Sequence, residues 1–289
     1  MNGVTADNLQ DWIGRSETQD DVAQLGPALR LAATLDRADL SARLESGREP
    51  LPPSWHWLYF LPCAQQSALA VDGHPAKGGF LPPVPLPRRM WAGSRLEFVE
   101  TIAFGAALTR TSTISSVQNK SGRSGALTLV TVRHEVRSDD RLALSDEHDI
   151  VYREAPPPGS RPAAAPPPDG PARSADFRRT VVPDPVVLFR YSALTFNGHR
   201  IHYDRSYATG VEGYPGLVVH GPLQATLLLD LLSRELPAAR VLRFTFRALA
   251  PLFDTAPFDV CGARDGTRVQ LWTVAPDGHV AMDATAELA

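Results

Sequence analysis

Two cysteines in 289 residues, Cys63 and Cys261, are too few for a disulfide scaffold, and neither stands in a CxxC or Cys/His spacing that would hold zinc. That scarcity fits a reducing compartment. Long apolar runs are missing too: nothing approaches the roughly 18 residues that cross a bilayer. The opening Met1-Asn2-Gly3-Val4-Thr5 lacks the basic region and apolar stretch of a secretory signal. These absences predict a cytoplasmic protein with no membrane association. Nor is there an excess of positive charge, since 29 Lys and Arg against 32 Asp and Glu leave a formal net charge of −3. General nucleic-acid binding, which wants a basic face, is therefore not expected. What the chain does have is a 43% hydrophobic content, ample for a buried core in one large or two compact domains.

Residues 4–46 read as helical, with capping-box spacing at Ser16-Glu17-Thr18-Gln19 and apolar residues recurring from Leu25 to Leu35 at three- and four-residue intervals. Trp57–Leu61 suits a short apolar strand, and Gly78–Pro87 a loop. Strand character dominates from Met90, over Ser94–Ile102, Thr109–Lys120 and Ala126–Val136, with Ser121–Gly125 as a turn. Residues 156–171 then hold eight of the 26 prolines, which predicts a linker over 156–174 between a first region, 1–155, and a second, 175–289. In the second region Val186–Tyr191 reads as a strand and Pro222–Leu236 as an apolar helix. Strands follow at Val241–Ala248 and Phe258–Ala263, and a hairpin pairs Val269–Ala275 with His279–Ala286. A long helix plus antiparallel strands on each side of the linker implies an α+β fold.

Titratable groups concentrate between Tyr191 and Asp204, in the run Tyr191-Ser192-Ala193-Leu194-Thr195-Phe196-Asn197-Gly198-His199-Arg200-Ile201-His202-Tyr203-Asp204. A second run, Gly216-Leu217-Val218-Val219-His220-Gly221-Pro222-Leu223, opens the apolar helix. Gly221 permits close backbone approach to a ligand, and Pro222 suits a first helical turn. Free amides at that helix start can stabilise a developing oxyanion. His202 is the natural candidate to exchange a proton with water, an unshifted imidazole titrating near neutral pH.

These two runs resemble the motif of the MaoC-like dehydratases, in which an aromatic and Ser-Gly-Asp-x-Asn-Pro-hydrophobic-His-x-Asp precede a helix that begins at His-Gly. Laid without gaps, Tyr191 takes the aromatic place, Thr195 the Ser, His202 the catalytic His, Asp204 the trailing Asp and Val219-His220-Gly221 the helix start. Ala250-Pro251-Leu252-Phe253-Asp254-Thr255 is similar to the family's Pro-x-x-x-Gly-Asp turn. The chain departs from the pattern with Asn197 in place of the usual Asp, His199 in place of Asn and Arg200 in place of Pro. That variant form resembles the type 2 hydroxyacyl-thioester dehydratase subgroup, which includes mesaconyl-C4-CoA and itaconyl-CoA hydratases.

The resemblance implies a double hotdog, two antiparallel sheets each wrapped around a central helix, and a hydro-lyase acting on a short, branched dicarboxylic enoyl-CoA. In that reading His202 activates water, Asn197 holds the water or the imidazole, and His199 or Asp204 supplies the missing acid. The Gly221 N–H receives the thioester oxygen. Arg200 pairs with the acyl carboxylate, while Tyr191, Val219 and His220 complete the substrate site. No metal or redox cofactor is required, since CoA arrives as part of the substrate. The first half shapes the CoA tunnel, and the protein works as a homodimer or a monomeric double hotdog. A hotdog thioesterase or a non-catalytic acyl-thioester binding protein is the alternative, because a fold alone does not fix chemistry.

Overall fold

Inward-facing apolar residues alternate along the strand-rich stretches, as at Val130, Val132 and Val136, and this period-two pattern builds a half-buried sheet. The computed structural model describes residues 6–122, 125–154 and 173–289. The first group of strands is β1 (Ser16–Val22), β2 (Arg88–Phe98), β3 (Ala107–Gly122), β4 (Gly125–Ser138) and β5 (Arg141–Arg153). The second is β6 (Phe177–Val181), β7 (Val241–Ala248), β8 (Phe258–Asp265), β9 (Arg268–Val274) and β10 (Val280–Leu288). All ten join in one sheet of order β1-β3-β4-β5-β2-β7-β10-β9-β8-β6. Counted inward from either edge, the order is the first, third, fourth, fifth and second strand of a group. The two halves therefore share one topology and meet where β2 pairs antiparallel with β7.

Helices lie between the first and second strands of each half: α1 (Leu25–Thr34) and α2 (Ala38–Glu45) in one, α3 (Pro185–Leu194), α4 (Arg205–Gly210) and α5 (Gly221–Glu235) in the other. A Gly-Pro pair stands at the start of both α1 and α5, as Gly26-Pro27 and Gly221-Pro222. α5 is buried all round from Leu223 to Leu232 because β2, β6, β8, β9 and β10 pack against it. Its polar members are partnered. Thr273 donates to Gln224 at 2.9 Å, and Asp230 accepts from Arg37 at 2.5 Å and from Arg179 and Arg234, each at 2.8 Å. Arg37 stands between α1 and α2 and is only 2% exposed, so this ion cluster ties the two halves together. α1, shorter than α5, packs on α2, α3 and the Trp55–Leu58 turn. Part of the inner face of the first half's strands, at Arg110, His134 and Asp146, lines a cavity.

Several expected elements are different in the structure. Ser16–Val22 is an edge strand rather than part of a helix, since its alternating exposure pairs it with β3. Val186–Tyr191 lies in helix α3, where Asp184 accepts the Val186 and Val187 amides and Pro185 fixes the first turn. Trp55–Leu58 is a 3₁₀ turn, not a strand, and β2 begins six residues before Ser94. The expected linker lies outside the described residues apart from its last two positions, as do two residues of the Ser121–Gly125 turn.

Candidate active site

A cavity of about 910 Å³ lies between the halves, walled on one side by the α3–α4 connection and on the other by the first half. The connection owes its shape to local chemistry. α3 ends at Leu194, Phe196 takes a left-handed turn at φ 48°, and Asn197 donates its amide to Ser192 O at 2.8 Å. The Asn197 Oδ1 accepts the His199 amide at 3.0 Å, closing a tight side-chain turn. A 3₁₀ turn over Arg200–His202 follows, and Asp204 caps α4 by accepting the Tyr207 amide.

His202 is buried and donates from Nδ1 to Val218 O at 2.7 Å. A carbonyl only accepts, so Nδ1 carries the proton and Nε2 presents a lone pair. Among the described residues Nε2 has no hydrogen-bond partner. Its ring stacks on His220 with centroids 3.7 Å apart and meets His199 edge-on at 5.4 Å. His220 is fully buried, shares a 2.8 Å hydrogen bond with Ser192 Oγ, and lies 5.1 Å from the Tyr191 ring. Burial pushes both His199 and His202 down to about 3, and each is lowered further by a neighbouring imidazole. His220 is likewise well below its ordinary value. The expected unshifted imidazole is therefore a neutral one, and the physical reason is desolvation.

α5 begins immediately after His220 with no side-chain cap, leaving the amides of its first turn free of helical partners. A Cβ at Gly221 would touch Trp91 O at 3.8 Å, so the helix start abuts the other half of the molecule. Val219 is tied by its amide to Leu252 O at 2.8 Å and packs in the core. Arg200 lines the cavity, but its guanidinium donates to Asp204 at 3.0 and 2.7 Å and to Val71 O at 3.2 Å, and lies 4.2 Å over the Tyr207 ring.

Of the residues singled out in the sequence, Tyr191, Asn197 and Arg200 form part of the cavity wall. His199, His202, Val219, His220 and Gly221 gather directly behind it, linked by the ring contacts and hydrogen bonds above. The opposite wall holds polar groups that the sequence did not single out. Strand register places Ser112, His134 and Asp146 directly opposite one another across β3, β4 and β5. Asp146 is buried and accepts from Trp57 Nε1 at 2.9 Å, with His148 at 2.7 Å and His56 at 3.2 Å. Burial works to raise its pKa, yet these histidines hold it well below the usual carboxylate range. Beside it, Arg110 lies over the Phe60 ring, donates to Gln19 Oε1 and leaves Nε without a partner. The available signal was a polar residue at an inward position of an apolar strand, His134 between Val132 and Val136.

A second missed group comes from the segment before β2. Asp72 Oδ2 accepts from His74 Nδ1 at 3.0 Å, and the His74 ring lies 4.1 Å from that of His199. Asp72, His74 and His199 bring one ligand atom each within 4.8 Å of one another. Asp72 and His74 are engaged with each other, however, so the arrangement is a hydrogen-bonded dyad beside a second imidazole rather than an open ligand set.

The sheet order defines a double hotdog, and buried histidines stand beside an uncapped helix start next to its cavity. The family model for hydroxyacyl-thioester dehydratase type 2 matches residues 54–254, and the chain belongs to that family. It is 49% identical over 277 residues to the mesaconyl-C(4)-CoA hydratase of Chloroflexus aurantiacus, covering 96% of each chain. A MaoC-like dehydratase from Phytophthora capsici superposes with a TM-score of 0.74 at 15% identity, covering 99% of this chain and 98% of that one. A Mycobacterium tuberculosis protein described as having a double hotdog fold gives 0.53 at 16% identity over 96% of each chain.

Proposed function

We propose that the protein is an acyl-CoA hydratase that adds water across the Cα=Cβ bond of a short dicarboxylic enoyl-CoA, of which mesaconyl-C4-CoA is the type. The observation that carries this reading is a neutral, tautomer-fixed His202 beside the uncapped amide end of α5, behind the wall of a cavity that fits an acyl chain. The Gly221 N–H receives the thioester oxygen as it gains charge, Asn197 orients the attacking water, and His202 Nε2 accepts a hydrogen bond from it. His220, bonded to Ser192, keeps His202 in place by stacking. The reaction is acid–base chemistry on a conjugated thioester, for which CoA enters as part of the substrate. Phe189 and Phe196, each 61% exposed, and Tyr203 line the mouth and suit the pantetheine arm.

A free acyl carboxylate needs a cation. Arg200 is already engaged by Asp204, whereas Arg110 on the far wall keeps a buried donor open. Burial lowers its pKa, as expected for a guanidinium whose nearest carboxylates do not bond it. Arg110 is therefore the stronger candidate to receive the carboxylate, with the first half shaping the acyl and CoA tunnel. One chain holds both walls, as a monomer or within a homodimer, and its two free cysteines and CoA substrate fit a cytoplasmic setting.

Incubation of the purified protein with mesaconyl-C4-CoA and crotonyl-CoA, following loss of conjugated thioester absorbance, tests the reading. Hydration faster on the dicarboxylic substrate is expected. Release of free thiol without hydration would identify a thioesterase instead, and no turnover of either substrate would leave only a binding protein.

A further inference from the structure

Hydration moves a proton from water to Cα, so some group must hold that proton while the C–O bond forms. Asn197 cannot. His202 and His220 are buried and His199 half-buried, all three with lowered pKa values, and each would become an isolated cation on accepting it, for none bonds a carboxylate among the described residues. Three imidazoles on the cavity wall have a carboxylate behind them, His56 and His148 on Asp146 and His74 on Asp72, and among these His74 is the one whose ring lies against His199, on the loop that carries Asn197 and His202.

We propose that His74, oriented by Asp72, is the acid–base group of this reaction, supplied by the first half of the chain to a site otherwise built by the second. The inference rests on the hydratase reading. A tight turn presents the pair: Leu69 bridges Pro75, Ala70 donates to His74 O at 2.7 Å, and Gly73 donates to Ala70 O at 2.9 Å. Asp72 grips His74 twice, accepting its backbone amide on Oδ1 at 3.0 Å and its ring Nδ1 on Oδ2 at 3.0 Å. The proton on Nδ1 is thereby fixed, and Nε2 is left as the basic atom.

The turn is fastened to the catalytic loop by its backbone. Asp72 O accepts the Arg200 amide at 2.9 Å, and Val71 O accepts Arg200 Nη1 at 3.2 Å. Gly73 and Gly198 lie so close that a Cβ on Gly73 would be 1.9 Å from Gly198 O, and one on Gly198 would be 2.7 Å from Gly73 O. Two glycines in contact and two bonds to backbone carbonyls hold His74 beside His199. The His199 ring is near both, 4.1 Å from that of His74 and 5.4 Å from that of His202.

In the forward direction the His74 Nε2 lone pair takes a proton from water. The water oxygen forms its bond to Cβ, the Cα=Cβ π pair shifts onto the thioester, and the oxyanion is held at Gly221. As that enolate collapses, the same proton passes from His74 to Cα, which restores a neutral imidazole. Asp72 stabilises the transient imidazolium without itself being protonated, as the carboxylate of a Ser-His-Asp triad does. Burial opposes the Asp72 charge, but the hydrogen bonds from His74 hold its carboxyl well below the usual range. Burial also lowers the His74 pKa, with Arg89 lowering it further and Asp72 opposing. Lys77, His199, Arg200, His202 and Tyr207 are further titratable or charged groups around the pair.

His74→Gln and Asp72→Asn, each compared with the wild-type full chain on mesaconyl-C4-CoA, test this. His74→Gln is expected to lower kcat by about 100-fold, the scale of a lost acid–base group, with KM changed much less. Asp72→Asn removes the anion that favours the imidazolium. The acid limb of its kcat/KM profile should therefore move to lower pH while kcat falls. A His74→Gln variant at the wild-type rate overturns the proposal. So does an Asp72→Asn variant that loses rate with its pH profile unmoved, and so does activity abolished by a chelator and restored by a divalent cation. Should His74→Gln not fold, as judged by its unfolding transition, the Asp72→Asn profile decides. A wild type that hydrates no enoyl-CoA would instead defeat the functional reading itself.

Discussion

At the scale of single residues, His202 sits between His220 and His199 with its proton committed to Val218 O, so truncating it removes both a hydrogen-bond acceptor for water and part of the stack. His202→Ala is expected to lower turnover by about 100-fold or more with the fold retained, measured by steady-state hydration and circular dichroism. Asn197→Asp keeps the bond to the His199 amide, because a carboxylate accepts it equally well. If His74 carries the proton, that variant should stay within about tenfold of wild type. The two cavity arginines make the sharpest contrast. Arg110→Met should penalise mesaconyl-C4-CoA by more than about tenfold in kcat/KM while sparing crotonyl-CoA, since a desolvated carboxylate loses its partner. Arg200→Ala, which frees Asp204 and loosens Val71, should slow both substrates alike. His202, Asn197 and Gly221 could be singled out because they lie in two short runs with a recognisable spacing. Asp72, His74, Arg110 and Asp146 were not, because only the folded sheet and the Gly73–Gly198 contact bring them to the same cavity.

Among elements, the 69–75 turn depends on a conformation that only glycine adopts readily, with Gly73 at φ +88° against a backbone oxygen. Gly73→Ala is expected to displace the turn from the catalytic loop, lowering kcat/KM by more than about tenfold, while the left-handed strain costs about 1–2 kcal/mol of stability. Hydration kinetics and chemical denaturation on the same sample separate the two effects. Strand and helix content was read well where the period was long and regular, as in β4, β7 and α5. It failed at α3, where Val186, Val187, Leu188 and Phe189 suggest a strand by composition, but Asp184 and Pro185 nucleate a helix. It failed again at β1, whose polar sequence carries no strand signal and whose place is set by pairing with β3.

For the molecule as a whole, the buried histidines make stability depend on pH in a definite direction. Burial lowers the pKa values of His56, His74, His134, His199, His202 and His220 below 6.5. Below about pH 6.5 the unfolded chain therefore binds more protons than the folded one, and stability falls as pH drops from there toward about 3. The depressed carboxyls of Asp72 and Asp146 add a further loss once pH passes below their unfolded value of 3.8. The unfolding midpoint should thus be lower at about pH 5 than at about pH 7.5. A flat midpoint across that range would mean that these rings take up protons in the folded chain as readily as in the unfolded one.

The joining of two like halves along β2 and β7 has a consequence for counting. A pair of identical subunits related by a two-fold axis must present every residue twice, and so carries two equivalent sites. When both halves belong to one polypeptide, each is free to lose what the other keeps. Here α1 is short, whereas α5 fills its half and offers its amide end, and His74, on the cavity wall, comes from the first half alone. The two halves are thus complementary rather than equivalent, and a titration with a non-hydrating acyl-CoA should saturate at one molecule per chain.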